Sequence, residues 1–196
     1  MVLTDSMAKY CKLQNVVLLA FKGDTIKRLT DRIRFERDVD VSGYDRILIH
    51  VGSNDISNLV DSGRYRSVTI FDMLDRYKAL RSSIRRRNSK AIILFSAILP
   101  RVERYELFRG YVSGLNFALE KWCAKTCGTC VFIPSFSAFI ARGKPKAALF
   151  SEKDGLHLAG AGVDVLEGIF EQALSTGYLL TRINSGRTRM LKNMHL

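Results

Sequence analysis

The sequence predicts a three-layer α/β/α fold built on a five-stranded parallel sheet. Short, almost continuous runs of Val, Ile and Leu alternate along the chain with longer amphipathic segments. Such runs are typical of parallel strands, which helices cover on both faces. Strands that alternate with helices form a parallel sheet between two helical layers. The 196 residues have the length of one domain, which we place at residues 1–180, with a basic tail at 181–196.

The predicted strands are apolar runs bounded by turn residues. One is the truncated pair "VL" after Met1, and the other four cover residues 16–21, 46–52, 91–99 and 130–134.

Four amphipathic segments are the predicted helices. The first places Ile26, Leu29 and Ile33 on one face, with Asp24 or Thr25 as the N-cap. The four helices cover residues 24–35, 69–87, 105–126 and 161–174.

Positive charge is the most distinctive property of the composition. The 31 Lys and Arg residues exceed the 19 Asp and Glu residues, which gives a net charge of +12. A basic protein attracts polyanions, so nucleic acid and anionic membrane surfaces are both candidate partners. The charge clusters at residues 76–90 and 181–193. The first cluster is equally typical of a solvated helix face, on which we expect Arg81, Arg85 and Arg87 to point to solvent.

The sequence contains no predicted membrane segment. No run of about 18 or more uncharged apolar residues occurs. The first residues, "MVLTDSMAKYC", lack the basic and apolar regions of a signal peptide. We therefore expect a cytoplasmic, intracellular domain taken from a longer protein.

The four cysteines are Cys11, Cys123, Cys127 and Cys130. The segment "CAKTCGTC" offers no fourth nearby ligand for a tetrahedral zinc site. A redox Cys-x-x-Cys motif usually opens a helix, whereas Cys127 and Cys130 follow a predicted helix and lead into a strand. We expect free thiols, with neither a metal nor a cofactor.

Polar residues that follow the predicted strands form a candidate site. Ligands of parallel α/β sheets bind outside the carboxyl ends of the strands. Ser6, Gly23 and Asn54 follow the first, second and third strands, and the segment "DGLH", with Asp154 and His157, precedes the last helix. These residues should therefore meet at one edge of the sheet.

The residue types at this edge suit acyl transfer. A serine is a weak nucleophile until a base removes its proton, and a carboxylate fixes the tautomer of a histidine base. Ser6, His157 and Asp154 can fill these roles. The backbone N–H groups of Ser6 and Gly23 and the side-chain amide of Asn54 can donate to an oxyanion.

Each residue also has a structural interpretation. Ser6 can cap a helix, Asn54 can form an Asx turn, and Asp154 precedes a glycine in a common turn pair. His157 is a lone histidine between leucines, and such a residue is usually structural. We assign His50, inside a strand, and His195, in the tail, to the structural class. The joint position of the candidates at one sheet edge favours the catalytic hypothesis.

The segments "TDSM", "FKGDTIKRL", "HVGSNDI" and "DGLHL" resemble those of the SGNH (GDSL-type) hydrolases across nearly the whole chain. The resemblance implies a flavodoxin-like SGNH fold, with Ser6 as nucleophile, His157 as base and Asp154 as its partner. It also implies an oxyanion hole made by Ser6, Gly23 and Asn54. Thr4 stands where the family has glycine. Because threonine does not easily take a positive φ, we expect the turn at Ser6 to differ.

These segments also resemble the corresponding segments of platelet-activating-factor acetylhydrolase-like esterases. They are similar as well to segments of domains in the first open reading frame protein of certain animal non-LTR retrotransposons. The resemblance implies a serine esterase whose substrate is a small acyl ester or a lipid. No long insertion separates Pro100 from the helix near Tyr105, so we expect an open site for short acyl groups. The alternative is a basic module that binds anionic lipid or nucleic acid with weak catalysis, and a homodimer is a further candidate assembly.

Overall fold

A five-stranded parallel sheet forms the centre of the computed structural model, which describes residues 1–36, 39–61, 69–126 and 128–175. The strand order is β2-β1-β3-β4-β5, as the sequence predicts in number and direction. The strands are β1 Val2–Thr4, β2 Leu18–Ala20, β3 Arg46–His50, β4 Ile92–Ser96 and β5 Cys130–Ile133.

Five α-helices connect and cover the strands in the described part of the chain. They are α1 Ile26–Phe35, α2 Ser53–Asp61, α3 Ile70–Arg87, α4 Tyr105–Lys125 and α5 Gly160–Leu174. All were expected except α2, whose first turn we had considered as an Asx turn. Short 3-10 helices and a two-stranded hairpin complete the described elements. The 3-10 helices are Ser6–Ala8, Ser135–Phe139 and Ala147–Leu149, and the hairpin strands are β6 Ile140–Ala141 and β7 Lys144–Pro145.

The two faces of the sheet carry separate apolar cores. Alternate strand residues such as Leu3 and Ile49 pack with helices α1 to α4 on one face. Val2 and Leu48 point the other way and pack against Leu166 and other residues of α5. Side chains alternate between the faces of a strand, so both faces need helical cover. The predicted three-layer α/β/α architecture is confirmed.

The connectivity reverses next to β1. The chain runs from β1 to β2 on one side and then returns to β3 on the other side of β1. Ligand sites of open α/β sheets lie at such a switch point, outside the carboxyl ends of the strands. The residues that follow β1 and β3 therefore lie where a ligand site is expected.

Gly52 permits the sharp entry into α2. Its φ is +126°, and a Cβ atom there would lie 2.6 Å from the Tyr77 Oη atom. The Tyr77 hydroxyl donates a hydrogen bond to the Val51 carbonyl, so it is fixed in place. A side chain at position 52 would thus displace the start of the helix that carries Asn54.

The arginines of α3 do not all face solvent, so that prediction is wrong in part. Arg81 Nη2 donates to Thr129 Oγ1 at 2.9 Å, and Arg85 Nη1 donates to the Ala91 carbonyl at 3.3 Å. Both side chains are half-buried, whereas Arg87 is exposed. The half-buried arginines thus tie α3 to the start of β5 and to the segment before β4. The basic segment 181–193, His195 and the boundary at residue 180 lie outside the described residues.

The cysteines of the described segments are free and buried, namely Cys11, Cys123 and Cys130. The Sγ atoms of Cys123 and Cys130 are 3.2 Å apart, where the end of α4 meets the start of β5. Cys127 lies outside the described residues. Over the same segments, no three His, Cys, Asp or Glu side chains form a group that could hold a metal ion. The helices described here are too short or too polar to cross a bilayer.

Candidate active site

Three predicted site residues form a continuous hydrogen-bonded chain. Ser6 Oγ lies 3.1 Å from His157 Nε2, and His157 Nδ1 lies 2.7 Å from Asp154 Oδ2. A carboxylate only accepts hydrogen bonds, so the ring proton is assigned to Nδ1. Nε2 then carries the lone pair and accepts the hydroxyl proton of Ser6. This is the geometry that a general base needs toward a nucleophile.

The loop that carries Asp154 and His157 is held by its own hydrogen bonds. Asp154 Oδ1 accepts the backbone N–H groups of Leu156 and His157, each at 2.9 Å. The Ser151 N–H donates to the His157 carbonyl at 2.7 Å, and Gly155 turns the chain with a φ of +58°. Both side chains are therefore placed by local structure before α5 begins.

Asp154 remains ionised in this loop. Its slight desolvation raises the pKa. The hydrogen bonds from the His157 ring and from the Leu156 and His157 N–H groups outweigh it and lower the pKa to about 2. A charged carboxylate favours the Nδ1–H tautomer of His157 and stabilises the imidazolium that forms during proton transfer.

Ser6 is the first residue of the 3-10 helix that follows β1. Asp5 is the N-cap, and its Oδ1 accepts the Met7 N–H at 2.9 Å. The Asp5 N–H donates to the His50 carbonyl at 3.2 Å, which fixes the turn to the neighbouring strand. The helix has only three residues, so the helix-dipole contribution that a longer helix would give is absent here.

We expected Thr4 to alter the turn at Ser6, but the structure shows no such effect. It lies in β1 in register with Ala20 and His50, and it is not among the described residues with positive φ. The backbone at position 4 is therefore ordinary strand, which threonine adopts readily. Its Oγ1 is buried and has no hydrogen-bond partner within the described residues.

The predicted oxyanion donors follow β2 and β3. Gly23 has a φ of +77°, a conformation that favours glycine, in the turn between β2 and α1. Asn54, in the first turn of α2, donates one Nδ2 hydrogen to the Asp24 carbonyl at 3.0 Å. That bond fixes the amide plane and leaves the second Nδ2 hydrogen available. The sheet order places Gly23 and Asn54 on either side of Ser6.

The family model for the GDSL-like lipase/acylhydrolase family matches residues 2–165. This chain belongs to that family. As a GDSL-like acylhydrolase, it is a carboxylic ester hydrolase. No curated protein matches the sequence.

Solved structures similar to this acylhydrolase share its fold. One, from Streptococcus pneumonia, is provisionally described as a platelet activating factor, with 22% identity over 89% of this chain and 82% of the other, and a TM-score of 0.72. A GDSL-like lipase from Bacteroides thetaiotaomicron has 16% identity over 88% and 85%, with a TM-score of 0.69. The esterase domain of the zebrafish ZfL2-1 retrotransposon ORF1 protein has 22% identity over 88% and 96%, with a TM-score of 0.48.

Asp55 supports the site of this GDSL-like acylhydrolase, and the sequence analysis missed its role. Its Oδ2 accepts the Ile26 N–H at 2.8 Å, and its Oδ1 accepts Arg76 Nη1 at 2.9 Å. Burial raises its pKa, while these hydrogen bonds and the Arg76 charge lower it in part. Asp55 thereby fastens α1 and α3 to α2, one residue after Asn54. The available sequence signal was a carboxylate directly after Asn54, next to the apolar Ile56.

His50 is a structural residue, as expected. It is buried at the end of β3, where its Nδ1 lies 2.9 Å from Ser96 Oγ. Ser96 Oγ in turn lies 2.8 Å from Ser135 Oγ. Burial lowers the pKa of His50 to about 4, so the ring is neutral near pH 7. It contributes a polar contact beneath the site and no proton transfer.

Asp5 gives the fold a pH dependence that can be measured. Burial raises the pKa of its carboxyl from 3.8 to about 7, although the Met7 N–H hydrogen bond lowers it. Because the folded-state pKa exceeds the unfolded value, the contribution to stability is complete below about pH 4 and is lost as the pH rises through about 7. We expect the free energy of unfolding of the wild type, relative to Asp5→Asn, to fall between these pH values. Urea unfolding at a series of pH values measures it.

Asp72→Asn is the control for this experiment. The Thr69 N–H and hydroxyl lower the pKa of the exposed Asp72 carboxyl, so it is ionised in both states above about pH 5. Its difference from the wild type should stay constant from about pH 5 to pH 7, where the Asp5→Asn difference changes. A constant Asp5→Asn difference over that range would contradict the assignment.

Proposed function

We propose that this chain is a serine esterase that hydrolyses short-chain, acetyl-type esters through Ser6, His157 and Asp154. The observation that carries the proposal is the chain of contacts from Ser6 Oγ to His157 at 3.1 Å and on to Asp154 at 2.7 Å. The base is thus within hydrogen-bonding reach of both the nucleophile and the orienting carboxylate.

The reaction runs in two steps on this arrangement. His157 Nε2 takes the proton of Ser6 Oγ as the oxygen attacks the ester carbonyl carbon. The imidazolium then protonates the leaving alcohol oxygen, which leaves an acyl group on Ser6. A water molecule attacks this acyl group with His157 again as base, and the acid and free Ser6 are released. Asp154 stays ionised throughout and holds the ring.

The oxyanion of each tetrahedral intermediate is assigned to three donors. They are the backbone N–H groups of Ser6 and Gly23 and the second Nδ2 hydrogen of Asn54. One such donor is typically worth about 3 kcal/mol in the transition state. The hydrogen bond from Asn54 to Asp24 supports this role, because a preorganised amide needs no reorientation during the reaction.

The preference for short acyl groups rests on the short segment that precedes α4. Only four residues separate Pro100 from Tyr105, where α4 begins, and they leave no length for a large lid in this segment. An open site of this kind suits short acyl groups better than long acyl chains.

Labelling with a fluorophosphonate tests the proposal. The probe should form one bond from Ser6 Oγ to phosphorus with loss of fluoride, and peptide mapping should place it on Ser6. Hydrolysis of 4-nitrophenyl acetate should stop in proportion to labelling, and Ser6→Ala should not be labelled. Full hydrolysis in completely labelled protein, or a label on another serine, would reject the proposal.

The alternative function, a basic module for anionic lipid or nucleic acid, stays a prediction. It rests on the net charge of +12. Arg81 and Arg85, two of the α3 arginines expected to face solvent, are half-buried and donate to Thr129 and Ala91. These contacts favour the esterase hypothesis over a binding surface on α3. The homodimer and the cytoplasmic location also stay predictions.

A further inference from the structure

Arg101 extends the row of candidate site residues by one strand. The carboxyl ends of β2, β1, β3 and β4 lie next to one another in the sheet. Gly23, Ser6 and Asn54 follow the first three of these strands, and Arg101 follows β4 in the segment before α4. Adjacent strands are about 4.8 Å apart, so this row is compact. The sequence analysis did not consider Arg101.

Two contacts fix the guanidinium of Arg101. Its Nη2 donates to Ser57 Oγ at 3.1 Å, and its Cζ lies 4.0 Å from the centroid of the buried Phe108 ring. Ser57 is three residues after Asn54 in α2, a spacing that places both side chains on the same side of the helix. The guanidinium is therefore held beside the helix that carries the oxyanion donor.

The backbone next to Arg101 also touches the catalytic loop. The N–H groups of Val102 and Glu103 approach the Gly155 carbonyl at 2.7 and 3.3 Å. Gly155 lies between Asp154 and His157, and a Cβ atom there would come within 2.9 Å of the Glu103 nitrogen. The segment with Arg101 thus packs directly on the loop that supplies the base.

The charge of Arg101 is not matched by a close carboxylate within the described residues. The side chain is only 8% exposed, yet its nearest ion-pair partner is Glu103 Oε2, 4.0 Å from Nη1. By contrast, Arg32 and Arg76 have carboxylate oxygens at 2.7 and 2.9 Å. A desolvated cation is costly unless an anion compensates it.

The unpaired donors of Arg101 reach solvent. Within the described residues, Nη2 is the nitrogen of Arg101 that makes a side-chain hydrogen bond. No Arg101 nitrogen is among the described atoms that are both buried and without a partner. Nε and Nη1 therefore keep solvent contact and can donate to a ligand. An anchored, planar guanidinium with free donors is well suited to a carboxylate or similar oxyanion.

We propose that Arg101 binds an anionic group on the substrate, and that the natural ester carries a carboxylate on its alcohol portion. This inference rests on the proposed function. The proposed function assigns a short acyl group to Ser6, so the larger, charged part of the substrate is the alcohol. Because Ser57 and Phe108 already hold the guanidinium, little side-chain entropy is lost when it binds the anion.

A matched pair of acetate esters tests the proposal. 4-Acetoxybenzoate carries a carboxylate on the alcohol portion, and 4-acetoxybenzamide is its neutral counterpart. Arg101→Met should lower the ratio of the kcat/KM values, benzoate over benzamide, by about ten-fold or more, as for loss of a charge-assisted hydrogen bond. Arg101→Lys, which keeps the charge without the planar fork, should give an intermediate ratio. Arg109→Met removes the charge of an exposed α4 arginine paired with Glu106 and should leave the ratio unchanged.

Binding to a variant without turnover separates this inference from the proposed function. 4-Acetoxybenzoate should bind Ser6→Ala more tightly than it binds Ser6→Ala with Arg101→Met, as measured by ligand-observed NMR. If the wild type hydrolyses neither ester, the proposed function fails, and this binding comparison still decides the role of Arg101. Equal loss on both esters, an unchanged ratio, or equal binding by the two variants would overturn the proposal.

Discussion

Ser6→Ala should lower kcat for 4-nitrophenyl acetate by several orders of magnitude, because the members of a triad act as a unit. The hydroxyl is the atom that bonds to the acyl group, and no other group replaces it. Ser6 is half-buried, and within the described residues its side chain forms a hydrogen bond with His157 alone, so the thermal midpoint should stay nearly unchanged. Initial rates and thermal melts of the same preparations measure both.

Ser137→Ala is the matched control for this loss. Ser137 is exposed in a 3-10 helix after β5, and its Oγ donates to the Pro134 carbonyl at 3.0 Å. This variant should keep the wild-type rate. If Ser6→Ala kept that rate as well, Ser6 would be only the first residue of a capped turn, and the catalytic assignment would be wrong.

Asn54→Ala should lower kcat by about 10²–10³ with little change in KM, because an oxyanion donor acts mainly on charge that develops in the transition state. The substitution removes the side-chain amide, whose Nδ2 atom donates to the Asp24 carbonyl oxygen at 3.0 Å. Alanine has a high helix propensity, so α2 should stay helical. Steady-state kinetics with a short acetate ester provide the measurement.

Asn58→Ala, at an exposed position of the same helix, is the control and should leave kcat and KM unchanged. A different pattern for Asn54→Ala would be informative. If KM rose while kcat held, Asn54 would contribute to ground-state binding, and the oxyanion would have to be placed elsewhere.

The strands and the hydrogen-bonded arrangement of Ser6, His157 and Asp154 could be predicted from sequence for the same reason. Apolar runs fix where parallel strands end, and Ser6, Asp154 and His157 lie in the segments that the fold brings to that edge. The helix α2 was missed because its first turn is polar. Its signal was present in Ile56, Leu59 and Val60, whose spacing of three and four residues is that of a buried helix face.

Other features depend on partners that are distant in sequence. Helical periodicity placed Arg81 toward solvent, but Thr129, at the start of β5, lies close enough to accept its hydrogen bond. Arg101 is similar, since Ser57 and Phe108 come from two different helices. No local pattern reports such contacts, and only the packed structure identifies them.

The hydrogen bond between Ser6 and His157 has a consequence for how the enzyme matures. It joins groups 151 residues apart, so Ser6 is synthesised well before His157. Contacts of such long sequence separation form late, because the chain must be ordered before they are gained. During refolding, helical circular dichroism should therefore recover before ester hydrolysis does. Catalysis in this chain reports that folding is complete from one end of the domain to the other.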